Sequence, residues 1–154
     1  QMDTCKIASG LYQYTSIDDC TRYRVLRLYN HRTAANTLDF LDCVIEEMPF
    51  PIQRVQTDRG LEFFAEKVQK KMIEYGIKFR PNKPGSPHLN GKVEPSQKTD
   101  TTEFYASVDI TSENLQDQLA EWQHYYNWLR PHSALKGKTP IERYFELSEE
   151  TPLI

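Results

Sequence analysis

Three strand-like runs in succession, followed by a helix–strand–helix–strand alternation, leave this chain few ways to bury its apolar residues. Residues 2–29 read as strands joined by turns at Ser9-Gly10 and Asp18-Asp19, the third being RYRVLRLY. Thr33 is placed to cap a helix over AANTLDFLDCVIEEM, where Leu38, Leu41, Val44 and Ile45 recur at helical spacing before Pro49 and Pro51 stop it. IQRVQTD is a fourth strand and IKFRPN a fifth. Between them AEKVQKKMIEYG carries Val68, Met72 and Ile73 at helical spacing, with Gly76 as its C-cap. A helix is expected from about Glu94 to Tyr105, and another over SENLQDQLAEWQHYYNWL with Ser112 as cap. The pattern predicts an α/β sandwich around a mixed sheet.

At 154 residues the chain is long enough for one well-buried core, so residues 1–154 are expected to form a single domain. No apolar run approaches eighteen residues, which excludes a helical membrane span, and no charged leader with an apolar stretch is visible. Cys5, Cys20 and Cys43 lack metal-ligand spacing and read as reduced, mostly buried residues of an intracellular protein. The net charge of −3 argues against strong DNA binding by the whole surface, but the charge is unevenly spread. Residues 67–98 hold eight basic side chains against two acidic ones, whereas residues 99–154 hold four against ten. Lys67, Lys70 and Lys71 fit the solvated face of a helix.

Three carboxylates stand out by context. Asp3 lies on the opening strand, Asp58 closes IQRVQTD just before Arg59-Gly60, and Glu94, separated from Asp58 by thirty-five residues, precedes a helix. An acid at the end of a strand lies where open α/β sheets bind ligands, and three carboxylates suit a hard cation such as Mg²⁺ or Mn²⁺ that also takes phosphate oxygens. Each has a plainer reading: Asp58 as a turn-capping aspartate, Glu94 as a first-turn glutamate favoured by the helix dipole. Asp18 and Asp19 compete with Asp3, although Asp19 fits turn chemistry.

The segments QMDT, SIDDCTRYRV, VQTDRGLEFF, SPHLNGKVEPSQKT and YYNWLRPHSALKGKTPIERY, in that order from the first residues to Tyr144, carry a resemblance. The chain resembles the catalytic core of bacterial insertion-sequence DDE transposases, the branch similar to retroviral integrases. The resemblance implies a ribonuclease H-like fold, with a mixed five-stranded sheet flanked by helices. It also implies that Asp3, Asp58 and Glu94 are catalytic and hold two Mg²⁺ or Mn²⁺ ions. A polynucleotidyl transferase of this kind hydrolyses a phosphodiester at an element's end and joins the 3′-hydroxyl to target DNA. Its expected setting is the bacterial cytoplasm, nucleoid-associated when bound to DNA, as a homo-oligomer in the DNA complex and without a membrane. Pro95 departs from the family pattern; its missing N–H is tolerated in a first helical turn, which places the helix start at Lys92 to Glu94.

Around these acids Lys83, Lys92 and Lys98 are candidate phosphate contacts, and His88 and Asn90 candidate DNA contacts in the loop KPGSPHLNGK, whose Pro and Gly content suits a gate. Lys98, one turn after Glu94, reads equally as its ion-pair partner on a solvated helix. Trp122, Tyr125, Tyr126 and Trp128 fit core packing better than base stacking, and RPHSAL is expected to anchor their helix to the sheet. No groove-reading motif is present, so end recognition is expected from a domain N-terminal to Gln1. Two alternatives remain open: a ribonuclease H-like nuclease that only hydrolyses, and a non-catalytic DNA-binding or assembly module.

Overall fold

The computed structural model describes residues 1–83 and 91–150. Its five strands are β1 (Met2–Ala8), β2 (Leu11–Ile17), β3 (Arg24–Tyr29), β4 (Arg54–Thr57) and β5 (Lys78–Pro81), in the spatial order β3-β2-β1-β4-β5. β1, β2 and β3 pair antiparallel, whereas β1–β4 and β4–β5 are parallel, which gives the mixed sheet expected. The β1–β2 turn uses Gly10 at φ +69, a conformation without steric cost only for glycine.

The helices are α1 (Ala34–Glu47), α2 (Leu61–Phe64), α3 (Glu66–Glu74), α4 (Val93–Thr99), α5 (Leu115–Trp128) and α6 (Pro140–Glu150). Thr33 caps α1 as anticipated, its hydroxyl accepting from Asn36 N at 3.1 Å. Alternation along the strands divides the core. Tyr14 and Val25 point to one face, against Phe40, Leu41 and Val44 of α1 and Val68 and Met72 of α3. Leu26 points to the other, against Leu115, Leu119, Trp122 and Tyr126 of α5.

Edge strand β3 is covered by α5. The backbone N–H groups of Arg24, Leu26 and Leu28 donate to the side-chain oxygens of Asn127, Gln123 and Gln116, each at 2.8 Å. Alternate residues of the strand thus meet one face of the helix.

Several expectations are corrected by longer-range packing. Arg22 has φ +64, so β3 begins at Arg24, not at Arg22. The turn before it is capped by Asp18, not Asp19: Asp18 Oδ2 accepts from Thr21 N and Thr21 Oγ1, both at 2.8 Å. The helix after Glu94 is α-helical only to Thr99, widens into a π turn at Asp100–Phe104, and tightens to a 3₁₀ turn at Tyr105–Ser107. The residue preceding α5 is Asn114, which makes no side-chain cap itself, while Ser112 Oγ accepts from Asn114 N at 3.4 Å. Trp122 and Tyr126 are core residues, but Tyr125 and Trp128 are 42% and 43% exposed, Trp128 stacking on His124. RPHSAL reaches the turn after α4 through Arg130 Nε to Glu103 at 2.9 Å, and His132 Nε2 lies 3.1 Å from Tyr126 O of α5. Cys20 is exposed and Cys5 and Cys43 half-buried, so the thiols are less sheltered than expected; all three are free. No helix among the described residues is long and apolar enough to cross a membrane.

Candidate active site

The parallel pairing of β1 with β4 brings the first two acids together. Met2 lies beside Thr57, so Asp3, the next residue of β1, and Asp58, the first residue after β4, fall at the same end of the sheet. Asp3 is opposite Thr15 in β2 and therefore shares the face covered by α4 and α5. Its Oδ1 accepts from Thr4 N at 2.8 Å and its Oδ2 from the Gln97 side-chain amide at 3.3 Å. Asp58 Oδ1 accepts from Gly60 N at 2.9 Å, which folds the chain sharply into α2.

Burial pushes the Asp3 carboxyl up, and the charge of Asp58 and a shared hydrogen bond with it push further. The Thr4 and Gln97 donors act the other way, and the balance is about 7. Asp3 and Asp58 thus set two carboxylates side by side, with oxygen atoms to offer a cation. Asp3 and Asp58 therefore fit a hard divalent cation, which commonly takes one or two carboxylates and completes its shell with water and phosphate oxygens.

Glu94 sits apart from this pair. It is the second residue of α4 and exposed, and among the described residues no three acidic, His or Cys side chains are gathered closely enough to hold a metal. Its helix is nonetheless tied to β1. Gln1 Oε1 accepts from both Lys92 N and Val93 N at 3.2 Å, in place of a side-chain cap from the helix itself. Pro95 falls in the first turn, where its missing N–H has no helical partner. Lys92 is half-buried at the start of α4, while Lys98 in its last turn and Lys83 after β5 are exposed. No ion pair joins Lys98 to Glu94 among the described residues. Lys70 and Lys71 pair with Glu66 and Glu74 on the solvated face of α3. His88, Asn90 and most of the loop assigned as a gate lie outside the described residues.

Two residues at the site carried no signal of their own in the sequence. Gln97 is neutral, and only its place three residues after Glu94, on the same side of a helix, could have marked it. Glu62, in the first turn of α2, accepts from Thr4 Oγ1 at 3.1 Å and so braces the loop after Asp58 against β1.

Comparison with known proteins identifies the family and the fold. Two family models, both described as an integrase core domain, match residues 1–87 and 75–140. The chain is 26% identical over 154 residues to the putative integrase ORF3 of Spiroplasma virus SpV1-C74, covering 89% of this chain and 42% of that protein. It is 29% identical over 109 residues to the transposase for insertion sequence element IS904 of Lactococcus lactis subsp. lactis (strain IL1403), covering 68% and 43%. The chain thus spans about two-fifths of these curated relatives. The catalytic core domain of BIV integrase superposes with a TM-score of 0.78 over 97% of this chain and 95% of that one, at 19% identity. That likeness establishes a ribonuclease H-like fold. Since one family match alone runs from the first residue past β5, this chain belongs to the integrase core domain family.

Proposed function

We propose that the chain is the catalytic core of a transposase or integrase that cleaves a phosphodiester at a DNA end and joins the freed 3′-hydroxyl to target DNA. The observation that carries this reading is the Asp3–Asp58 pair, formed by two strand ends and holding a carboxyl at about 7. Mg²⁺ or Mn²⁺ held by Asp3 and Asp58, with Glu94 as the third ligand, would supply Lewis-acid activation of the attacking oxygen and charge neutralisation at the leaving one.

The remaining work belongs to the chain. Thr4 N and the Gln97 amide orient Asp3, and Gly60 N orients Asp58, so neither carboxylate swings freely. Lys98, Lys92 and Lys83 neutralise DNA phosphates beside the pair, and His88 and Asn90 complete the contact surface. End recognition and assembly into a homo-oligomer on DNA are assigned to the longer protein and its copies.

Joining exchanges one phosphodiester for another, so it runs in both directions. A branched oligonucleotide that mimics a joined product therefore tests the chemistry without knowledge of the element's terminal sequence. Full-length protein with Mn²⁺ and such a branch should release a resealed target strand, and Asp58→Asn should not. Hydrolysis without resealing favours a nuclease; a mobility shift without chemistry favours a DNA-binding module.

A further inference from the structure

We propose that Arg24 and Asp100 are a positioning pair that sets the rotation of α4 about its axis, and through it the aim of Glu94 at Asp3 and Asp58. The role of Glu94 rests on the transferase reading; the geometry does not.

Helix α4 is only seven residues long and cannot hold an orientation by itself. Its buried stripe is Val93 and Ser96, continued by Asp100 in the π turn. At about 100° per residue, Gln97 and Glu94 lie on one side of that stripe about 60° apart. Gln97 touches Asp3, and Glu94 stands further round toward solvent. A modest turn of the helix exchanges them, so whatever fixes the rotation decides which side chain faces the pair.

The fixing contact is at the far end. Asp100 is 1% exposed and Arg24 0%, an unusual degree of burial for an ion pair. Arg24 grips Asp100 with both terminal nitrogens, Nη1 to Oδ2 at 2.8 Å and Nη2 to Oδ1 at 2.6 Å. Gln13 of β2 donates to Oδ2 at 3.0 Å and Trp122 of α5 to Oδ1 at 2.7 Å. Three elements thus converge on one carboxylate. The same guanidinium reaches back to Ser96 O at 3.4 Å and lies 3.8 Å from the centre of the Tyr126 ring.

Stability alone does not account for this arrangement. A buried ion pair is commonly no better than apolar residues of the same volume, and Arg24 Nε has no hydrogen-bond partner among the described residues. What the pair supplies is direction: a bidentate fork admits one approach of the carboxylate, whereas apolar packing tolerates rotation. The π turn at Asp100–Phe104 adds to this, since its wider winding keeps both Asp100 and Phe104 buried.

The test is the joint substitution Arg24→Met and Asp100→Leu in the full-length protein, which removes both charges together. The melting temperature is expected to stay near that of wild type. The NOE between the Gln97 side-chain amide and the Asp3 β-protons should disappear. Resealing of the branched oligonucleotide should fall about ten-fold or more in kcat with KM for the branch unchanged, as expected for misaimed groups and not for lost binding. Asp100→Asn, nearly isosteric, provides a second variant and should show the same kcat-only loss. A folded variant that keeps both the NOE and wild-type kcat overturns the proposal, and so does failure of both variants to fold, since the pair would then be purely structural. If wild type itself reseals nothing, the transferase reading falls, while the NOE still decides the rotation of α4.

Discussion

Gln97 donates its side-chain amide to Asp3 across 3.3 Å, so the contact between α4 and the acidic pair is made by a neutral residue three positions beyond Glu94. The amide favours the ionised form of Asp3, as does the Thr4 N–H, yet burial and Asp58 outweigh them and hold the carboxyl near 7. At neutral pH Asp3 is therefore divided between two protonation states.

The first prediction follows by linkage. An aspartate unfolds to a value near 3.9, so between there and about 7 the folded protein retains a proton that the unfolded chain has released. The stability this contributes is fully present below about pH 4 and is lost as pH rises through the folded value. Without divalent cations, wild type should lose stability relative to Asp3→Asn over that range, by up to about 1.4 kcal/mol per pH unit. Urea midpoints in chelator measure it; parallel curves for the two proteins would mean that Asp3 titrates normally.

Asp58→Asn removes the charge that helps to raise Asp3. In chelator this variant should melt at or above wild type, because a repulsion has gone. Wild type should climb with the logarithm of Mn²⁺ concentration, and the variant should gain little. Thermal melts at fixed ionic strength decide the matter, and equal responses would exclude the pair as a cation site.

Lys98 is exposed in the last turn of α4 and makes no ion pair with Glu94 among the described residues, which leaves its charge available to DNA. Lys98→Ala should reduce the slope of log affinity against log salt by about one unit, without changing the fold. Binding to a duplex across a salt series measures the slope, and an unchanged slope returns Lys98 to the solvated surface.

Gly60 has φ −59, which alanine adopts without strain, but a Cβ there would lie 2.8 Å from Glu62 Oε2. Glu62 must then move from Thr4. Gly60→Ala should destabilise by about 0.5–1.5 kcal/mol, the size of one hydrogen bond, and the loss should vanish in a Thr4→Val background. A double-mutant cycle by urea unfolding reads the coupling; additive losses would show that the methyl displaces something else.

What the sequence revealed followed the range of the interactions. Strands β1 to β5, helix α1 and its Thr33 cap rest on spacing within a few residues, and all were legible. Asp3 and Asp58 were marked by their places on strands, and β1–β4 pairing made them neighbours. The π turn after α4 was not legible: it opens at Asp100, whose partner Arg24 is 76 positions away. Arg22 in the left-handed region and the bracing of Glu62 on Thr4 likewise depend on partners that no local pattern names. The exposed Tyr125 and Trp128 share a helix with buried Trp122 and Tyr126, and composition does not tell which side of α5 meets the sheet.

The side-chain amides that α5 lends to β3 have a further consequence. The N–H groups of Arg24, Leu26 and Leu28 already have acceptors, and the carbonyl of Arg24 receives the Asn127 amide at 2.8 Å. An extended peptide arriving at this flank would find its template already read by glutamines and asparagine. Growth of the sheet by one more strand is therefore barred on the β3 side, which leaves the outer face of α5, and not a strand edge, as the surface this flank presents.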